Sequence, residues 1–227
     1  NGYYKIVIDI LSEAGIEVFE YSGIRPNPVV SDVEAAVQKG IEEGVGLVLA
    51  LGGGSVIDSA KIIALCIPDN LDPWSVVKGK VPATNALPII TVLTLAATGT
   101  EMNHFAVVQN EKTQEKLGFR NTHMFPAHSF INPEFSYSVP LNYTAYGVVD
   151  LIAHSFENYF GVGESPLSEQ FVAAVVKESM EFGPRVLKEP KNYFYRANIQ
   201  LQSTYALNGT TMIGKAGGDW GVHAVGH

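Results

Sequence analysis

The chain has 227 residues, 46% hydrophobic and 17% charged, a globular balance with length for one large domain or two small ones. Its formal net charge of −8 argues against nucleic acid or an anionic membrane as partner, since either calls for a basic surface, and leaves a small neutral or anionic ligand open. The single Cys66 excludes an internal disulfide framework and suits a reducing compartment. With no apolar run near the roughly 20 residues of a bilayer crossing and no signal peptide at the start, the expectation is a cytoplasmic protein.

In chain order, NGYYKIVIDILSEAG reads as an amphipathic helix with Ile6, Ile10 and Leu11 on one side and Gly15 as a left-handed stop. IEVFEYS predicts a strand, the PNP at 26–28 a turn, and SDVEAAVQKGIEEG a helix opened by a capping box of Ser31 and Glu34. VGLVLALGGGS predicts a buried strand running into a glycine turn, followed by the helix VIDSAKIIALCI. This alternation is that of a doubly wound α/β domain entered one strand late, so the expectation is a chain cut at both ends. LPIITVLT is a further buried strand. From FAVVQNEKTQEKLGF to HSFINP the pattern is short strands with polar turns, a hairpin folding over the ligand edge of the sheet. Beyond about Pro140 the segments 142–160, 166–182, 190–207 and 216–227 carry helical apolar spacing between Gly and Pro. The division expected is an α/β domain over 1–138, its parallel sheet lacking the first strand, and an all-α domain over 139–227.

Gly52-Gly53-Gly54-Ser55 sits between a buried strand and a helix. Glycines there admit a phosphate to the backbone, the helix N-terminus offers N–H groups, and the Ser55 hydroxyl adds a donor; a plain tight turn is the rival reading. The stretch is neither the Rossmann nor the Walker fingerprint. Asp58 and Lys61 follow on the helix, where Asp58 either complements the macrodipole or bonds a ligand hydroxyl. ATGTEMN at 97–103 ends a strand with hydroxyls, a carboxylate and an amide, which suits either ligand contact or a self-satisfied polar loop.

Asp150 and His154 stand at i and i+4, one carboxylate and one imidazole on one helical face, as a two-point metal anchor requires; an ordinary ion pair has the same spacing. His223 and His227 repeat it, and two such pairs favour a shared metal. His123 and His128 read as solvated, His104 adjoins the ligand edge, and Cys66 reads as a buried small hydrophobe rather than a nucleophile.

GGGSVIDSAK, TLAATGTEMN, EKLGF, GVVDLIAHSFENYF and GGDWGVHAVGH, in this order, resemble the iron-dependent (group III) alcohol dehydrogenases, the butanol dehydrogenase branch above all. The resemblance implies a dinucleotide-binding α/β domain followed by a helical domain, with the active site in the cleft between them. It implies that Gly53, Gly54 and Ser55 hold the pyrophosphate of NAD or NADP with Asp58 nearby, that Thr94, Thr98 and Lys116 are further cofactor contacts, and that Asn27 lies near the adenosine end. It implies Asp150, His154 and His223 as ligands of Fe2+, or of Zn2+, which binds such nitrogen and oxygen donors more tightly. His227 then lines the catalytic cleft as a proton relay or substrate-orienting group instead of a ligand. The fourth ligand would be a histidine about four helical turns past His223, beyond the last residue of this sequence. His104 stands where relatives carry a small residue and would narrow the substrate pocket.

The activity so implied is reversible hydride transfer between nicotinamide and a primary alcohol or aldehyde such as butanol or butanal, in a homodimer. The rivals are a glycerol dehydrogenase or dehydroquinate synthase relative, against which the Asp150–His154 pair argues, and a nucleotide-binding fragment without turnover.

Overall fold

The computed structural model describes residues 2–226, which form two compact units. Within the described residues, the first comprises 2–92 and 104–130, and the second 93–103 and 131–226.

The first unit opens with α1 (Tyr3–Glu13), which stops where predicted, at Gly15 with a φ of 70°, although none of its side chains is buried. The stretch IEVFEYS corrects the strand expectation. It is irregular, and Ile16, Val18 and Phe19 are exposed: alternation alone makes no strand where no neighbouring strand satisfies the backbone. In α2 (Val30–Glu42) the expected capping box is absent, because the helix starts before Ser31 and its N-cap is Val29. Ser31 instead accepts a hydrogen bond from Arg25 at 3.2 Å.

The strand β1 (Val48–Gly52) leads through Gly53 into α3 (Gly54–Cys66), whose first turn takes in two residues expected to belong to the turn. A short helix, α4 (Pro73–Val77), was not anticipated. Its start is nonetheless encoded locally, since Asp72 accepts from the Ser75 N–H at 2.8 Å and Pro73 occupies the first turn. The parallel sheet comprises β1, β2 (Ile89–Leu93) and β5 (His128–Ile131), in the order β1-β2-β5. Only β3 (Phe105–Asn110) and β4 (Glu115–Arg120) form the antiparallel hairpin, with Phe105 opposite Arg120 and Asn110 opposite Glu115. HSFI, grouped with that hairpin in the sequence reading, therefore belongs to the main sheet. The core of this unit joins Val33 and Val37 of α2, Ile62 and Leu65 of α3, and Ala106 and Val108 of β3.

The second unit is helical: α5 (Leu141–Tyr159), α6 (Pro166–Lys188), α7 (Tyr193–Leu207) and the short α8 (Gly221–Gly226). Its core sets Val148 and Leu151 of α5 against Val175, Phe182 and Val186 of α6 and Ile199 and Ala206 of α7. Glycine permits two close approaches. A Cβ on Gly147 would lie 2.3 Å from the Ala96 carbonyl oxygen, and one on Gly161 2.0 Å from that of Gly217. Segment 93–103 thus packs with the helices, secured by Glu101, which accepts from the Thr204 hydroxyl at 2.5 Å.

Candidate metal centre and nucleotide turn

In the first unit, α3 begins at Gly54 with Gly53 as its N-cap, and no side chain caps that end. The Val56 N–H bonds the Gly53 carbonyl at 3.1 Å, while the N–H groups at the very start of such a helix have no intrahelical acceptor and are aimed along the axis. Three further predicted residues meet beside this turn. Asn27, in a left-handed conformation with φ 57°, donates its backbone N–H to the Ser55 Oγ at 3.1 Å, and Lys116 Nζ donates to Asn27 Oδ1 at 3.1 Å. Arg25 braces that loop by donating to Asp32 at 2.9 Å and to Glu111 at 3.0 Å, and the guanidinium beside Asp32 lowers that carboxyl's pKa.

Asp58 and Lys61 bond the neighbouring strand. The Val107 N–H donates to Asp58 Oδ2 at 2.9 Å, and the fully buried Lys61 donates to the Phe105 carbonyl at 2.8 Å, so both clip α3 to β3. His104 lies against Phe105 and Phe125, and burial first, then the charges of Arg120 and Lys61, disfavours its imidazolium form.

In the second unit, Thr94 and Thr98 are half-buried on segment 93–103. The sharper arrangement lies on α5. Asp150, His154 and His223 each present a ligand atom within 4.8 Å of the others. Asp150 Oδ1 lies 3.8 Å from His154 Nε2 and 3.5 Å from His223 Nε2, and the two imidazoles stack at 4.6 Å with 13° between their planes. Ligand atoms around one tetrahedral ion with bonds of about 2.0–2.1 Å stand roughly 3.4 Å apart, so this spacing fits a single cation.

The electrostatics fit as well. Burial pushes the His154 pKa down against the pull of Asp150, which keeps its imidazole in the neutral form that binds metals. The His223 pKa is raised, first by its hydrogen bond to Asp150, against the cost of burial and with help from Glu157. A cation would take the place of the proton that this pair shares. Two imidazole nitrogens and one carboxylate oxygen suit Fe2+ or Zn2+ rather than Mg2+ or Ca2+.

His227 lies outside the described residues. Sequence reasoning missed Glu157, which is buried on α5, accepts the His223 backbone N–H at 3.0 Å through Oε1, and meets the His223 Nδ1 through Oε2. The available signal was its spacing, three residues after His154 and seven after Asp150, which repeats on one helical face.

Comparison with known proteins agrees with this geometry. A family model described as iron-containing alcohol dehydrogenase matches residues 1–133, and one for the C-terminal region of the Fe-containing alcohol dehydrogenase family matches residues 144–227. The chain is 42% identical to a probable NADH-dependent butanol dehydrogenase 2 of Bacillus subtilis, over all of this chain and 58% of that protein. It is 38% identical to an NADPH-dependent aldehyde reductase of Escherichia coli, over all of this chain and 59% of that protein. Among solved structures, NADH-dependent butanol dehydrogenase A of Thermotoga maritima superposes with a TM-score of 0.94 at 42% identity, over 96% of this chain and 55% of its own. The chain thus spans less than two thirds of these relatives. Matched by family models on both sides of residue 140, it belongs to the iron-containing alcohol dehydrogenase family.

Proposed function

We propose that this chain carries the cofactor-binding and metal-binding residues of an NAD(P)-linked alcohol dehydrogenase, one that interconverts a small primary alcohol and its aldehyde, such as butanol and butanal. The observation carrying this reading is the convergence of Asp150, His154 and His223 in a chain whose relatives are named butanol dehydrogenases and an aldehyde reductase. Residues 1–138 serve as the dinucleotide-binding domain and 139–227 as the metal-binding one. The single buried cysteine fits a reducing cytoplasm, a homodimer is the expected assembly, and the net charge of −8 argues against nucleic-acid or anionic-membrane partners.

Gly53, Gly54 and Ser55 take the pyrophosphate through first-turn N–H groups and the serine hydroxyl, with Asn27 and Lys116 flanking them. Lys116 adds a positive charge where a diphosphate needs one. Asp58 supports the turn from the protein side through Val107, and Thr94 and Thr98 add hydroxyls for the cofactor. Asp150, His154 and His223 would hold Fe2+ or Zn2+, with Asp150 offsetting part of its charge. When bound, the dinucleotide supplies or accepts the hydride, and the cation supplies Lewis-acid polarisation of the carbonyl. His227 is assigned to proton relay or substrate orientation.

To test the reading, bound metal and butanal reduction are measured together for His154→Ala, with NADH and with NADPH. Loss of both is expected, whereas full activity with metal retained refutes the assignment. Turnover of glycerol in preference to butanol would move the protein to the rival enzyme class.

A further inference from the structure

Glu157 spends every acceptor it has on one short segment. Its Oε2 meets His223 Nδ1, its Oε1 accepts the His223 backbone N–H at 3.0 Å, and its own carbonyl accepts the Asp219 N–H at 2.9 Å. Its side chain is 2% exposed, so these bonds form away from competing water. The end of α5 and the turn after it fasten the rest of the segment. The Val162 N–H donates to the Gly217 carbonyl at 2.9 Å, the Ala216 N–H returns to the Val162 carbonyl at 2.8 Å, and Lys215 donates to the Tyr159 carbonyl at 2.7 Å. Between α7 and α8 the chain has one 3-10 turn, Thr210–Met212, and the stretch from there to α8 is irregular, so these bonds help to place α8.

A carboxylate only accepts hydrogen bonds, so an imidazole facing it through Nδ1 carries its proton there. In a neutral ring, Nε2 is then left with its lone pair, and Nε2 is the atom that faces Asp150 at 3.5 Å. Resting on the metal reading given above, we infer that Glu157 is the positioning residue of this centre: it fixes His223 as the Nδ1–H tautomer and ties α8 to the helix that bears the other two ligands. His154 is held differently. It sits within α5 itself, and its Nδ1 has no hydrogen-bond partner among the described residues. The ligand on the short segment is thus the one held by an outside carboxylate.

The test combines Zn2+ affinity, by competition with a chromophoric chelator, and the His223 tautomer, by long-range proton–nitrogen correlation on metal-free, nitrogen-15 histidine-labelled protein at a pH alkaline enough to leave the ring neutral, with His223→Asn giving the assignment. Glu157→Ala is expected to weaken Zn2+ binding by roughly 10–100-fold. Glu157→Gln, which keeps one acceptor oxygen, should fall between Glu157→Ala and the unmodified protein. The unmodified protein should show His223 protonated on Nδ1, a readout that a merely structural glutamate would not move and that holds even if Glu157→Ala does not fold. A His223 protonated on Nε2 alone, or folded variants that bind Zn2+ as tightly as the unmodified protein, would overturn the inference. Failure of the unmodified protein to bind Zn2+ would instead overturn the metal reading on which it stands.

Discussion

The two candidate sites are built on different principles. At the glycine turn of the first unit the binding groups are main-chain N–H donors at the head of α3, and the side chains around them mainly brace a loop, as Arg25 does for Asn27. At the metal centre of the second unit the binding groups are side chains, two from one helix and one from a segment held by Glu157. A backbone site is damaged by adding bulk, and a side-chain site by removing ligands. The two therefore fail under opposite kinds of substitution, and each failure should leave the other site intact.

The sharpest separation is expected from removing a ligand. His154→Ala or Asp150→Ala should abolish metal binding and lower butanal reduction by more than the roughly 10–100-fold that loss of a supporting group costs, while cofactor affinity, read by fluorescence titration with NADH, stays unchanged. Gly54→Val should do the reverse. The new side chain blocks the approach of the diphosphate, and cofactor affinity is expected to fall at least about tenfold, or ~1.4 kcal/mol, with metal content preserved. If either variant damages both sites, they are not independent.

A smaller effect should follow Gly161→Ala. The added Cβ would fall 2.0 Å from the Gly217 carbonyl oxygen, which must move, and the adjoining Val162–Gly217 bridge holds the segment leading to His223. Overpacking of this kind costs about 1–3 kcal/mol. It should appear as weakened Zn2+ affinity and a lower Tm, with NADH binding unaltered.

Asp150 and His154 were legible because helical periodicity is a local rule: i and i+4 share a face wherever the helix lies. His223 was legible as half of a second pair, but its meeting with Asp150 depends on where the loop after α7 returns, which no local spacing specifies. Glu157 was hidden by its residue type, since glutamates on helices are usually solvated, and only burial reveals its task. In the first unit, the glycine turn and the β3–β4 hairpin followed from turn chemistry and alternation. IEVFEYS misled because a strand is a property of a pair, and HSFI was misplaced because which neighbour a short strand takes is decided by the sheet. The Ser31 box failed because the helix began earlier and Arg25 claimed the hydroxyl.

The smallest expected effect lies away from both sites. Burial, with a lesser contribution from Asp72, pushes the Cys66 thiol up to about 12 from an ordinary 9.0. The folded state therefore holds its proton more tightly than the unfolded chain. The stability this contributes is fully present below about pH 9 and is lost as the pH rises toward 12. Native protein at pH 8 should leave a thiol reagent unreacted until denaturant is added. Prompt labelling in the native state would show Cys66 to be accessible.

The account depends most on Asp150, His154 and His223 sharing one cation, and anomalous scattering from crystals of the iron-loaded protein at the iron edge tests this directly. The result predicted is one peak about 2.0–2.2 Å from an Asp150 carboxylate oxygen and from Nε2 of both histidines. Iron found elsewhere, or absent from this position in fully loaded crystals, would contradict it.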